Sequence, residues 1–331
     1  MRQVLLRIPI PGTDHVLTLY GYGLAMCVGF LLAILTAARR AKRDGSPPEV
    51  VHNAALACFF GGVFGARAFF VVQNHEQFDG LLALLRIWEG GLTFYGGFLV
   101  ATLATVAYLR LARRNVLYWL DVITPSMALG LAGGRVGCFL NGCCYGDVAT
   151  AGPGMVWPVG SIPWYHYAEA QVPALAEAVR LFGRQGGPAL SGAVGGAVAA
   201  AWQMPAIHPA QLYSLVNALG LALVLSVMFR RRRRNGQILL TFAVLYGLTR
   251  YLLEAIRADE PEAYLLGLPT VLRLVGAREA AEALPGLTIS QNIAVVMVVG
   301  GGLLLWRLMR SRRPGLVVEH GAEPPSTEPR S

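Results

Sequence analysis

Gly133-Gly134-Arg135-Val136-Gly137-Cys138-Phe139-Leu140-Asn141-Gly142-Cys143-Cys144-Tyr145-Gly146 closes an apolar run that begins near Val122. The run has the length of a membrane span, so this stretch sits where a helix leaves hydrocarbon for water. Arg135 falls inside it. A guanidinium in hydrocarbon is costly unless it is paired or lines a polar cavity. The glycines around it leave room for another backbone or a lipid headgroup to come close. The rest of the chain reads as scaffold and partners for this arginine.

Composition agrees with a membrane setting. Of 331 residues, 55% are hydrophobic and 14% charged, against about a quarter charged in soluble domains. The reading is an all-α polytopic membrane protein. Apolar runs at about 17–38, 54–72, 92–109, 120–140, 212–229, 238–256 and 287–308 predict seven transmembrane helices. The first run is longer than a signal-peptide core and ends in Arg39-Arg40-Ala41-Lys42-Arg43, so it is expected to stay as a span. Arginine blocks follow spans one, three, five and seven, the block Arg230 to Arg234 being the densest. By the positive-inside rule those ends are cytoplasmic. The N-terminus then lies outside, the C-terminus inside, and the stretch Gly133–Gly146 opens on the extracytoplasmic side. The net charge of +9 is accounted for by these blocks, and no nucleic acid is expected as a partner.

The domain organisation follows. Residues 1–313 are expected to form one integral-membrane domain, with 147–207 inserted before helix five as a small extracytoplasmic head. Within the insertion, Ala168–Phe182 is amphipathic and Gly186–Trp202 is rich in glycine and alanine. The latter is too short and small in volume for an eighth span, and another crossing would put the Arg230–Arg234 block outside. Residues 1–16 read as an irregular or strand-like arm. Residues 314–331, with Glu-Pro-Pro-Ser-Thr-Glu-Pro, have the composition of a disordered tail.

Polar residues at helical spacing mark a cavity. Tyr246, Arg250, Glu254 and Arg257 stand at i, i+4, i+8 and i+11 and fall on one helix face. An Arg250–Glu254 ion pair that only fixes packing is the plain reading. The functional one has Arg250 reaching a cavity shared with Arg135 while Glu254 orients it. Two arginine forks facing one cavity suit a phosphate, and in a membrane the abundant phosphate belongs to a phospholipid. Tyr95, between paired glycines in Gly90-Gly91-Leu92-Thr93-Phe94-Tyr95-Gly96-Gly97, is placed as a cavity hydroxyl. Tyr22 is a weaker candidate of the same kind, equally readable as an interface aromatic. His208, Gln211 and Tyr213 read first as residues that dock the external segment. Five cysteines (Cys27, Cys58, Cys138, Cys143 and Cys144) make no disulfide framework, since two lie in apolar spans. The spacing of Cys138, Cys143 and Cys144, five and one, does not match paired metal ligands. No metal and no cofactor is expected. A redox pair of Cys138 with one of the others is the alternative.

Gly134-Arg135-Val136-Gly137-Cys138-Phe139-Leu140-Asn141-Gly142, followed by Gly146, resembles the signature of the bacterial prolipoprotein diacylglyceryl transferases. Tyr22-Gly23-Leu24, the Gly90–Gly97 segment, His208-Pro209-Ala210-Gln211-Leu212-Tyr213, and Tyr246-Gly247-Leu248-Thr249-Arg250 with Glu254 follow in the family's order. The resemblance implies transfer of the diacylglyceryl group of phosphatidylglycerol to the lipobox cysteine thiol of a preprolipoprotein. A thioether forms and glycerol 1-phosphate leaves, at the extracytoplasmic face of the bacterial inner membrane. It also implies Arg135, Arg250, Glu254 and Tyr95 as catalytic residues, and phospholipid contacts from Arg135, Tyr22, Asn141, Gly146, Tyr246, Cys138 and Cys143. Phosphatidylglycerol, the signal peptide and membrane lipid are the implied partners. Three positions depart from the family pattern. Tyr95 stands where His is common, and a phenol with an ordinary pKa of about 10 is a poor base. Cys138 and Cys143 stand where the signature has Asn and Glu. The alternatives are a divergent paralogue with another acceptor, or a non-catalytic protein that binds or transports lipid.

Overall fold

A computed structural model describes residues 4–9, 16–77, 91–171, 203–257, 287–311 and 318. Two strands, β1 (Val4–Pro9) and β2 (Val16–Tyr20), pair antiparallel with Val4 opposite Tyr20 and Pro9 opposite Val16. Among the described residues the helices are α1 (Gly21–Arg43), α2 (Glu49–Gln73), α3 (Phe94–Leu111), α4 (Val116–Asn141), α5 (Ile162–Gln171), α6 (Ala210–Arg230), α7 (Gln237–Glu254) and α8 (Ile289–Arg310).

Six of them, α1 to α4, α6 and α8, are long and apolar enough by length and composition to cross a membrane. The chain is a polytopic helical membrane protein. The six differ from the expected spans mainly at their ends. The first apolar run starts in β2, and its helix begins only at Gly21 and runs on through the basic block. Lys42 and Arg43 in that last turn complement the partial negative charge of a helix C-terminus, whereas Arg40 turns to α4, donating to the Val122 carbonyl at 2.7 Å and the Ser126 hydroxyl at 2.8 Å. The seventh expected span, α7, is an 18-residue helix that is not among the six. Thr241, Tyr246, Thr249, Arg250 and Glu254 lower its apolar character. The amphipathic stretch Ala168–Phe182 is described only to Gln171, as the end of α5, and Gly186–Trp202, Trp88–Gly90 and most of the tail lie outside the described residues.

The chain divides into two compact units. The second comprises residues 31–127, 225–239 and 307–331. In it α2 and α3 pack through glycine. A Cβ on Gly65 would lie 2.4 Å from the Val100 Cβ, and one on Gly96 would lie 2.3 Å from the Phe69 Cβ. Any side chain there forces the helices apart. The buried Arg67 lies over the Phe70 ring, 5.8 Å from its centroid. Two carboxylates missed as structural elements hold the rest. Asp44 pairs with Arg232 and accepts from the Tyr118 hydroxyl at 2.9 Å. Asp121, fully buried, accepts from the Gly236 and Leu239 amides at 2.8 and 2.9 Å. It thereby satisfies free N–H groups at the α7 N-terminus from another helix.

The first unit comprises residues 1–30, 128–224 and 240–306. Here α1 and α4 cross at Gly29 and Gly133, where a Cβ on Gly133 would be 2.6 Å from the Gly29 Cα. α7 and α8 approach at Gly247, whose added Cβ would meet the Ala294 carbonyl at 2.9 Å. The described part of the head has its own aromatic core of Trp157, Trp164, Tyr145, Tyr165, Met204 and Ile207. Met155 and Ile207 exchange both backbone hydrogen bonds, at 2.9 and 3.1 Å. Phe139 of α4 contributes to that core, its ring 5.7 Å from Trp157.

Candidate functional site

Arg135 lies six residues before Asn141, the last residue of α4, after the glycine pair that brings α1 close. It lines a small cavity of about 20 Å³ together with Ser214 and Asn217 of α6 and Tyr246 and Arg250 of α7, with Leu131 as an apolar wall. No hydrogen bond or ion pair among the described residues engages the half-buried Arg135 guanidinium.

Arg250 is held from behind. Its Nη1 is 2.6 Å from Glu254 Oε2, one turn on, and its Nη2 donates to Ser290 Oγ of α8 at 2.8 Å. Glu254 is buried, accepts from Thr288 Oγ1 at 3.2 Å, and has Arg257 Nε at 3.9 Å. The i, i+4, i+8 spacing of Tyr246, Arg250 and Glu254 explains this geometry: one face of α7 carries the tyrosine and arginine into the cavity, and the carboxylate anchors the arginine. Asn217 donates to Thr249 at 3.1 Å, which links α6 to the same face. Two cations line the cavity and one anion stands behind them. The arrangement leaves an excess positive charge in a poorly solvated place, which favours a bound anion.

Beyond Arg135 the chain reverses. The Gly142 and Cys143 amides both return to the Cys138 carbonyl, at 2.8 and 3.2 Å, and Gly142 takes φ 80°. This is a left-handed helix cap of the kind glycine favours. Cys144, at φ 59°, continues the turn in a conformation uncommon for a residue with a side chain. The result brings Cys138, Cys143 and Cys144 together, their sulfur atoms all within 4.8 Å of one another. Thiol donors beside it, Cys138 first and then Cys144, draw the Cys143 thiol below its ordinary range. Gln211, wholly buried at the start of α6, donates to the Cys143 carbonyl at 2.8 Å.

The other sequence candidates distribute around this corner. Tyr22 packs on Gly137, where an added Cβ would be 3.0 Å from its ring, and lies within electrostatic reach of Arg135 and the three thiols. Asn141 ends α4. Gly146 is locked between two strands of backbone: its amide donates to the His208 carbonyl at 2.9 Å, and a Cβ there would fall 2.7 Å from that oxygen and 2.9 Å from the Ile256 carbonyl. His208 Nδ1 is 3.2 Å from the Tyr213 hydroxyl, which donates to the Pro153 carbonyl at 2.9 Å. Gln211 and Tyr213 thus dock the segment after α4. Tyr95 belongs to the second unit, opens α3, is 49% exposed and meets Phe94 edge-on. Sequence reasoning missed Ser214, Asn217, Thr288 and Ser290. Their signal was the one that exposed Arg135, a polar side chain on an apolar helix, but a hydroxyl or amide stands out less than a charge.

Comparison with known proteins adds an independent finding. Residues 13–307 match the family model described as prolipoprotein diacylglyceryl transferase. The chain is 33% identical over 254 residues to the phosphatidylglycerol–prolipoprotein diacylglyceryl transferase of Sodalis glossinidius, covering 75% of this chain and 80% of that one. It is 24% identical over 243 residues to the enzyme so named from Clostridium tetani, covering 73% and 82%. A match of 36% identity over 176 residues to the one from Rhodopirellula baltica covers 49% of this chain and 36% of that protein.

Proposed function

The chain belongs to the prolipoprotein diacylglyceryl transferase family, and from that premise we infer that it moves the diacylglyceryl group of phosphatidylglycerol onto the lipobox cysteine thiol of a preprolipoprotein. The carbon–oxygen bond to the lipid phosphate breaks, a carbon–sulfur bond forms, and glycerol 1-phosphate departs. What carries the reading is that Arg135 and Arg250 line one cavity. As the ester breaks, the phosphate gains a full negative charge. Fixed guanidinium donors in a site of low dielectric stabilise that charge most where it develops. Glu254 keeps Arg250 aimed. Tyr246, Tyr22, Asn141, Gly146, Cys138 and Cys143 are assigned to the lipid-contacting wall, and Tyr95 to hydrogen bonding.

In this reading α7 is a seventh span whose polar face is tolerated because it lines the cavity. The arginine blocks put the N-terminus outside and residues 314–331 in the cytoplasm. The cavity and the head at 147–207 then open on the extracytoplasmic side of the bacterial inner membrane, where lipobox cysteines arrive. A second reading keeps the donor and changes the acceptor to another thiol or a hydroxyl, and the departures at Tyr95, Cys138 and Cys143 favour it. Complementation separates them. Expression in a bacterium depleted of its own transferase restores growth and lipoprotein maturation under the first reading. Failure to do so, with diacylglyceryl transfer from phosphatidylglycerol retained toward other acceptors, selects the second.

A further inference from the structure

The transfer needs a nucleophilic sulfur, and an acceptor thiol must first lose its proton. Among the described residues that line it, the cavity offers guanidinium groups for the leaving phosphate and no histidine. One turn beyond Arg135 on α4 and around the helix cap lie three thiols, Cys138 and Cys143 of the lipid-contacting wall and Cys144 beside them, to which no part in thiol activation has yet been given. We propose that Cys138, Cys143 and Cys144 bind a borderline-soft divalent cation of the zinc class through three thiolates, and that its fourth position takes the acceptor thiol of the lipobox peptide. This rests on the transferase reading and supplies the step that reading lacks.

The geometry supports a shared ligand over three separate thiols. All three sulfurs lie within 4.8 Å of one another. Tetrahedral zinc at about 2.3 Å from each sulfur holds them about 3.8 Å apart, so a contraction of an ångström or less closes the site. The turn that converges them is specified by backbone: Gly142 and Cys144 both take positive φ, and the Cys138 carbonyl receives two amides. Gln211 ties the Cys143 carbonyl from outside. Charge is balanced as well. Three thiolates and a divalent ion carry one net negative charge, and Arg135 stands three residues before Cys138, on the same helix face. Three protein ligands with one open position is the pattern of catalytic zinc, whereas structural zinc closes all four.

The step balances. The acceptor thiol coordinates the metal and is deprotonated outright, its proton passing to water. The bound sulfur attacks the glyceryl carbon that carries the phosphate ester. The carbon–oxygen electron pair leaves with the phosphate between Arg135 and Arg250, and the released proton matches the second charge of the phosphate monoester. The neutral thioether is a weaker ligand than a thiolate and dissociates.

The test uses the full-length protein in detergent with phosphatidylglycerol. Cobalt(II) added to metal-stripped protein is expected to give a thiolate-to-cobalt charge-transfer band at one equivalent. A lipobox peptide should shift the visible cobalt bands, and its Cys→Ser analogue should not. Chelation should lower transfer by roughly 10²–10⁴, the range expected when the group that removes the thiol proton is lost, with recovery on adding zinc, and the triple variant Cys138→Ser, Cys143→Ser, Cys144→Ser should lose both band and recovery. The proposal is overturned if cobalt binds with no thiolate band, if stripped protein transfers at the untreated rate, or if active protein is two hydrogens light by intact mass, the mark of a disulfide. Should zinc-loaded protein transfer nothing from phosphatidylglycerol, the transferase reading fails. The cobalt band and its peptide-dependent shift still decide whether the thiol site exists.

Discussion

Arg250 and Glu254 stand one turn apart on α7 with 2.6 Å between Nη1 and Oε2, and the carboxylate is the more buried partner, 1% exposed against 12%. An exposed i, i+4 pair is worth a few tenths of a kcal/mol. This one is different because breaking it strands a charge in a poorly solvated place. Glu254→Gln keeps the shape and a hydrogen-bonding partner for Thr288 but removes the countercharge. We expect a loss on the order of 3 kcal/mol in stability, read by thermal unfolding in detergent. Transfer should drop roughly a hundredfold as Arg250 loses its aim.

Arg135 is expected to behave in the opposite way. No ion pair among the described residues depends on it, so Arg135→Ala should insert and unfold like the parent protein. Its activity toward phosphatidylglycerol and a lipobox peptide should fall by roughly 10²–10³. Arg135→Lys should recover only part of the rate, because an ammonium is a point charge and cannot grip two phosphate oxygens as a planar fork does. Equal rates for Lys and Arg at this position would mean that net charge alone is needed, and the bidentate assignment would fall.

Gly146 makes a separate case for backbone contact. Its amide meets His208, and a methyl placed on it would press on the carbonyl oxygens of both His208 and Ile256. These are backbone atoms and cannot rotate away. Gly146→Ala should therefore destabilise the junction between α4, α6 and α7 by about 1–3 kcal/mol, with faster proteolysis of the head as the direct measurement. Gly152→Ala is the comparison: its nearest contact is 3.9 Å, from His208 Cε1, so only its φ of 81° resists substitution.

The two arginines were legible because a charge within an apolar run has few permitted environments. The face of α7 was legible because helical spacing is rigid. Asp121, near the start of the same apolar helix that carries Arg135 near its end, gave the same signal of a charge within an apolar run, yet its role depends on the amides of Gly236 and Leu239, more than a hundred residues on. The Asp44–Arg232 pair is hidden for the same reason, since Arg232 reads as one member of a basic block. The convergence of Cys138, Cys143 and Cys144 was hidden by their spacing. Linear intervals of five and one describe a poor metal motif only if the chain continues straight, and the cap at Gly142 with the left-handed Cys144 turns it back. The first helix started late because nothing in the apolar run distinguishes its β2 residues from helix.

Close contact between α1 and α4 depends on two glycines. Gly29 and Gly133 let α1 and α4 approach until a methyl on Gly133 would sit 2.6 Å from the Gly29 Cα, while one on Gly29 would sit 3.0 Å from the Gly133 Cα. Gly220, also inside an apolar helix, has nothing within 4 Å of an added Cβ. Intrinsic helix propensity favours alanine over glycine by about 1 kcal/mol at all three places, so the sign of each substitution reports packing alone. Gly133→Ala should lower the unfolding temperature most, Gly29→Ala less, and Gly220→Ala should leave it unchanged or raise it. Overpacking costs of about 1–3 kcal/mol exceed the propensity gain at the first site and are absent at the last. The same displacement of α4 moves Arg135, so Gly133→Ala should also slow transfer at temperatures where the protein stays folded. If Gly133→Ala proves as stable and active as Gly220→Ala, the α1–α4 contact does not position the arginine.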